Sequence, residues 1–217
     1  MLQRVIDRLT GGKTVRIVAY GDSISEVGRT PNYFGGATCA EMNWAQQLGR
    51  LLWKGFGKPM DVAHFAIGGQ NAYEGLGRLD WLKPYEPDLV LIAFGANDCG
   101  HHYLPSEATA FAVGSIVEGV RARHQADVIV MAPGGNNPIG DQSKWQHVDE
   151  TVAALRNVAG EKNAPFANVR ATILKETDNG AQWAKYHNGP EDCHPNDAGH
   201  GVWARVVFET IKPQLKF

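Results

Sequence analysis

The chain has 217 residues, 43% of them hydrophobic and 20% charged, with a formal net charge of −2 and a pI near 6.4. No basic surplus is available to meet a phosphate backbone, which argues against nucleic acid as a partner. No apolar run nears the roughly 20 residues that a membrane-spanning helix needs, so no membrane partner is expected.

The N-terminal stretch, residues 2–9, reads as a short helix closed by Gly11 and Gly12. It is amphipathic and charged, unlike a secretory leader, so a cytoplasmic location is slightly favoured and the compartment otherwise left open. The first strand follows and ends at Tyr20, with Gly21-Asp22-Ser23 in the turn beyond it. Residues 26–42 show no clean period and carry Arg29, Asn32, Tyr33 and Cys39. A loop of that length is usually functional, and this one is placed to wall a pocket or to pack on its own aromatics.

A helix is predicted over 43–54, capped by Asn43, with Trp44, Leu48, Leu51 and Leu52 on one face. The second strand spans 61–67 and breaks at Gly68-Gly69. A helix over about 71–83 leads to the strand at 88–94, whose unbroken apolar character indicates burial on both faces. It ends at Gly95-Ala96-Asn97-Asp98. A helix over 106–125 is capped by Ser106, with Phe111, Ile116, Val117 and Val120 as its core stripe. The fourth strand, 127–132, runs into Asn136 and Asn137. A helix from about 144 to 159, a weaker strand over 167–173 and a helical stretch over 174–186 come next. The polar loop Glu191-Asp192-Cys193-His194-Pro195-Asn196 precedes a last helix over 197–211, with Val202, Val206, Val207 and Phe208 facing inward.

Strands alternating with helices argue for an α/β fold, a parallel sheet covered on both faces. Without linker, repeat or low-complexity tract, a single domain over 1–217 is expected. Three cysteines, Cys39, Cys99 and Cys193, form neither a disulfide framework nor a CxxC site, although Cys99 and Cys193 flank motifs that could converge. The carboxyl ends of parallel strands share one sheet edge, where α/β proteins bind ligands. That edge brings together Ser23, Gly69, Asn97 and Asn136.

A serine hydrolase needs a nucleophile, a base, an acid to orient the base, and donors for the oxyanion. Ser23, His194 and the carboxylates Glu191 and Asp192 are candidates for the first three. Gly69, which has no side chain, offers a backbone N–H, and Asn97 offers an amide. Taken singly, each of these residues is an ordinary turn, cap or surface residue. Their order along the chain, each at a strand end, is the stronger signal.

The blocks Gly21-Asp22-Ser23-Ile24-Ser25, Gly69, Gly95-Ala96-Asn97-Asp98 and His194-Pro195-Asn196 resemble, in order, the four motif blocks of the SGNH (GDSL-type) hydrolases. The resemblance spans residues 21–196. It implies a three-layer α/β/α flavodoxin-like sandwich with a five-stranded parallel sheet of order 2-1-3-4-5. It also implies ester hydrolysis through an acyl-enzyme, with no cofactor and no metal. The implied oxyanion hole is made by the N–H groups of Ser23 and Gly69 and the Asn97 amide. The family places an Asn five residues before its second-block Gly, where this chain has His64. It places an Asp three residues before its His, where this chain has Glu191, with Asp192 one residue later. Spacing favours Glu191 as the acid and residue type favours Asp192; a Ser–His dyad is the third option.

Asp22, Arg29, Asn32, Tyr33, His101 and Asn136 are candidate substrate contacts. These polar groups, with no long apolar stretch for a fatty chain, suggest a small-molecule or glycan ester, with acetyl as the acyl group. A lysophospholipase or thioesterase on longer chains and a non-catalytic binding module on the same fold are the alternatives. A flavin site is disfavoured because Asp22 would repel phosphate. The oligomeric state is left open.

Overall fold

The computed structural model describes residues 1–26, 42–58, 60–143, 145 and 147–215. The expected contributions of Arg29, Asn32, Tyr33 and Cys39 lie outside these described residues.

Five strands, β1 (Val15–Gly21), β2 (Met60–Ala66), β3 (Leu89–Ala93), β4 (Asp127–Met131) and β5 (Phe166–Ala167), pair in parallel in the order β2-β1-β3-β4-β5. The alternation of side chains along a strand sends successive residues to opposite faces. Ile17, Ala19, Leu89, Leu91, Ile129 and Met131 therefore enter one core, and Val18, Tyr20, Val90, Ile92, Val128 and Val130 the other. The first core is closed by α1 (Gln3–Thr10), α2 (Trp44–Phe56), α7 (Val169–Glu176) and α8 (Asp197–Ile211). The second is closed by α3 (Ala72–Gly77), α5 (Ser106–His124) and α6 (Val148–Glu161). This is a three-layer α/β/α sandwich, as expected. The short α4 (Ala96–Gly100) starts where β3 stops.

Asn43 caps α2 as predicted: its side chain accepts the Ala45 and Gln46 N–H groups, and Gln46 caps back. Elsewhere local chemistry redrew the boundaries. The helix expected over 71–83 divides into α3 and a 3₁₀ segment, Leu79–Tyr85. Gly75 and Gly77 weaken the helix there, and Pro84 supplies no N–H. His147 has φ +60°, which a helix interior does not accept, so α6 starts at Val148. The strand expected over 167–173 is only Phe166–Ala167, because the Asn168 side chain accepts the Ala171 N–H and caps α7. Asp178, Asn179 and Gly180, all at positive φ, end the helical stretch, leaving a 3₁₀ turn at Trp183–Lys185. Ser106 is the first residue of α5 and Pro105 stands at its cap. Phe111 does not join the core: it is 65% exposed and packs against Tyr73 at the surface.

Candidate active site

The three central strands deliver the site. β1 ends at Gly21, where an added Cβ would lie 2.5 Å from the Ala93 carbonyl oxygen of β3, so only glycine lets the two strand ends lie so close. Past it, the Asp22 carbonyl accepts the Ser25 N–H at 3.0 Å and its side chain accepts the Ile24 N–H at 3.0 Å. This tight turn raises Ser23 above the sheet edge. Asp22 itself is 2% exposed and holds the turn from below. That corrects its expected role as a substrate contact: its carboxylate is built into the turn.

Ser23 Oγ lies 3.1 Å from His194 Nε2, and His194 Nδ1 lies 2.9 Å from Asp192 Oδ1. The same carboxylate oxygen accepts the His194 backbone N–H at 2.8 Å. An Asx turn of this kind spans two residues and fastens carboxylate, backbone and imidazole in one unit. The reading that spacing puts Glu191 on the imidazole is therefore corrected. Glu191 turns the other way and accepts the Asp141 N–H at 3.0 Å. Burial pulls the His194 imidazole down, but the Asp192 carboxylate, with the Cys193 sulfur beside it, outweighs this and makes the ring more basic than usual. Burial pushes the Asp192 carboxyl up; its bonds to His194 reverse this and hold it below its ordinary value.

Gly69, at φ +81°, occupies a turn that an L side chain would strain. Asn97 donates one amide N–H to the Gln70 carbonyl at 3.0 Å, which leaves its second for the cavity. Among the described residues, the N–H groups of Ser23 and Gly69 donate to no protein acceptor. Three unspent donors thus sit at the ends of β1, β2 and β3.

Ser23, Gly69, Asn97, Asp192 and His194 line one cavity of about 470 Å³. Ile24, Ala96 and Trp145 supply apolar wall, and His101 and Cys193 complete it. His101 was anticipated; Ile24, Ala96 and Trp145 were not, since apolar residues in loops carry no sequence signal for a pocket. Asn136 is 3% exposed and donates to Gln142 at 2.8 Å, inside the loop after β4. That corrects its expected role as a substrate contact. A larger cavity, about 760 Å³, lies between α2 and α8 and is lined by Gln47, Arg50 and Arg205. It holds none of the groups described above, so size does not mark the site.

His64, in place of the family's Asn, donates from Nδ1 to the Ser25 carbonyl at 3.1 Å and pins the segment after Ser23. Burial lowers its pKa. Cys99 and Cys193 are free thiols. Asp192, Cys193 and His194 bring metal-ligating atom types within 4.8 Å of one another, but two of the three already bond each other.

A family model, the GDSL-like lipase/acylhydrolase family, matches residues 19–202. The chain belongs to this family, the SGNH hydrolases. Among individual relatives, it is 32% identical over 120 residues to platelet-activating factor acetylhydrolase IB subunit alpha1 of Pongo abelii. That match covers 53% of this chain and 50% of the relative, so the chain spans about half the length of the relatives it matches. A GDSL-like lipase structure from Parabacteroides merdae superposes with TM-score 0.75 at 19% identity, covering 93% of this chain and 96% of the other. An acetylxylan esterase of Geobacillus stearothermophilus superposes with TM-score 0.71 at 20% identity, covering 91% and 94%. At such identities the two structures show the shared fold.

Proposed function

We propose that the protein is a serine esterase that removes a short acyl group, acetyl above all, from a hydroxyl-rich substrate such as a carbohydrate. The observation that carries the proposal is the continuous chain from Ser23 Oγ to His194 Nε2 to Asp192 Oδ1, at 3.1 and 2.9 Å. His194 Nε2 takes the Ser23 proton as Oγ attacks the ester carbonyl carbon. The negative oxygen forms beside the Ser23 and Gly69 N–H groups and the Asn97 amide. As the carbon–oxygen bond to the leaving alcohol breaks, imidazolium returns the proton to that alcohol. A water then enters, gives its proton to His194 and attacks the acyl carbon; the imidazolium reprotonates Ser23 as acid leaves. Asp192 stays ionised throughout and stabilises the imidazolium.

Ile24, Ala96 and Trp145 line the cavity that holds Ser23 and give the acyl group an apolar wall. The acetyl-removing activities named for two similar proteins point to a small acyl group. The test has two parts. A fluorophosphonate should add one equivalent of mass at Ser23 and none in Ser23→Ala; an unlabelled Ser23 favours a binding module and ends the proposal. Acetyl esters should then be cleaved with higher kcat/KM than octanoyl esters of the same alcohol; the reverse order favours a lysophospholipase or thioesterase.

A further inference from the structure

One buried cation, Arg78, is bonded to segments that lead to the oxyanion donors, and the proposed reaction does not use it. Arg78 lies just past the end of α3 and is 5% exposed. Its Nη2 donates to the Gly21 carbonyl at 2.9 Å, its Nη1 to the Phe65 carbonyl at 2.7 Å, and its Nε to Gln70 Oε1 at 2.6 Å. Its plane lies over the Tyr20 ring, 4.4 Å from the centroid. The acids that act on its charge are Glu74 and Asp22. Burying a guanidinium is costly, and the three acceptors along its fork are what make the position tenable.

The acceptors are not arbitrary. Gly21 is two residues before Ser23. Phe65 is on β2, four residues before Gly69. Gln70 follows Gly69, and its carbonyl accepts the Asn97 amide at 3.0 Å. The Gly21 carbonyl also accepts the Ile67 N–H at 3.1 Å, which ties the turn holding Gly69 to the end of β1. The sheet fixes the strands but not the loops that leave them. From these contacts we infer that Arg78 is a positioning residue for the oxyanion hole, acting on the Asn97 donor by holding Gln70, whose carbonyl accepts the Asn97 amide. This inference rests on the proposed esterase reading. Arg78 touches no substrate; it acts through the groups it holds.

A donor misplaced by an ångström is lost to the transition state more than to the bound ester. Arg78→Met should therefore lower kcat on an acetyl ester about 100-fold, near the cost of losing one oxyanion donor, while KM changes less than about 3-fold. Arg78→Lys should regain only part of this, since an ammonium cannot span the fork. The decisive readout is coupling. If Arg78 works by placing Asn97, then in an Asn97→Ala background Arg78→Met should cost no more than about 3-fold further. Circular dichroism at the assay temperature checks that each variant is folded. Should Arg78→Met not fold, Gln70→Ala, which removes only the link between Arg78 and the Gln70 peptide, takes its place, with about a 10-fold kcat loss expected and the same non-additivity. Losses that multiply in the double variant overturn the inference, as does a kcat within about 3-fold of wild type in Arg78→Met, or full activity in Arg78→Lys. An unlabelled Ser23 in the wild-type protein would instead indict the esterase reading itself, so the two failures are told apart.

Discussion

The nucleophile half of the site and the base half are held by different forces. Ser23, Gly69 and Asn97 follow the ends of β1, β2 and β3. Behind them Val18, Tyr20, Val90 and Ile92 are fully buried. Asp192 and His194 stand on a stretch with no sheet beneath it. Polar contacts hold it: Trp183 Nε1–H to the Asp192 carbonyl at 2.8 Å, Asn188 Nδ2–H to the His194 carbonyl at 3.2 Å, and Asn196 Nδ2–H to the His187 carbonyl at 3.2 Å. Burial is non-directional and shared among many atoms, whereas each of these hydrogen bonds aims one group. The nucleophile half should therefore fail by unfolding, and the base half by misplacement within a folded protein.

Asp192→Asn is the sharpest way to break the base half. It should lower kcat on an acetyl ester by about 10⁴-fold, the scale seen when a triad acid is made an amide. Glu191→Gln should stay within about 3-fold, since that side chain serves the Asp141 backbone. Equal, small losses for both would leave a Ser–His dyad. The pH dependence has a definite sign. The ring must be neutral to take the Ser23 proton, so kcat/KM falls as pH drops through the raised His194 pKa. Removing the carboxylate that raises it should move this acid limb of the pH–rate profile to lower pH.

In the nucleophile half, Leu91→Ala on β3 should lower the free energy of unfolding in urea by about 3 kcal/mol, from a cavity in the core. Its kcat per folded molecule should change less than about 2-fold. Smaller still, and opposite in kind, is Trp183→Phe. An aromatic ring is kept, but the bond to the Asp192 carbonyl and part of the buried ring's volume are lost, so kcat should fall about 10-fold while unfolding free energy drops by about 2 kcal/mol. If Leu91→Ala cut kcat more than Trp183→Phe, the division of the two halves would be wrong.

The same division governs what was legible in the sequence. A parallel sheet covered on both faces followed from strands whose apolar runs needed two buried faces, its order only from the family resemblance, and the nucleophile-side residues followed from the glycines that end those strands. The base half was less legible, because an Asx turn and a back-folded turn demand similar polar residues. Choosing between Glu191 and Asp192 depended on which carboxylate bonded its own backbone, which spacing does not encode. Arg78 gave no signal because two of its three acceptors are backbone carbonyls, 13 and 57 residues away for Phe65 and Gly21, and a carbonyl carries no sequence identity. Phe111 misled for the converse reason: helical periodicity marks a face, and this residue covers Tyr73 outside the core.

Gly21 has a consequence beyond packing. A methyl group there would meet the Ala93 carbonyl oxygen at 2.5 Å and Ser25 Oγ at 2.9 Å. The first letter of the motif that points to a nucleophile is thus demanded by the neighbouring strand, whatever the ester. A sequence carrying that glycine but no serine two positions later would keep this architecture with its chemistry gone. The motif joins two separable messages, one about how closely two strands lie and one about catalysis, and only the second bears on what the protein does.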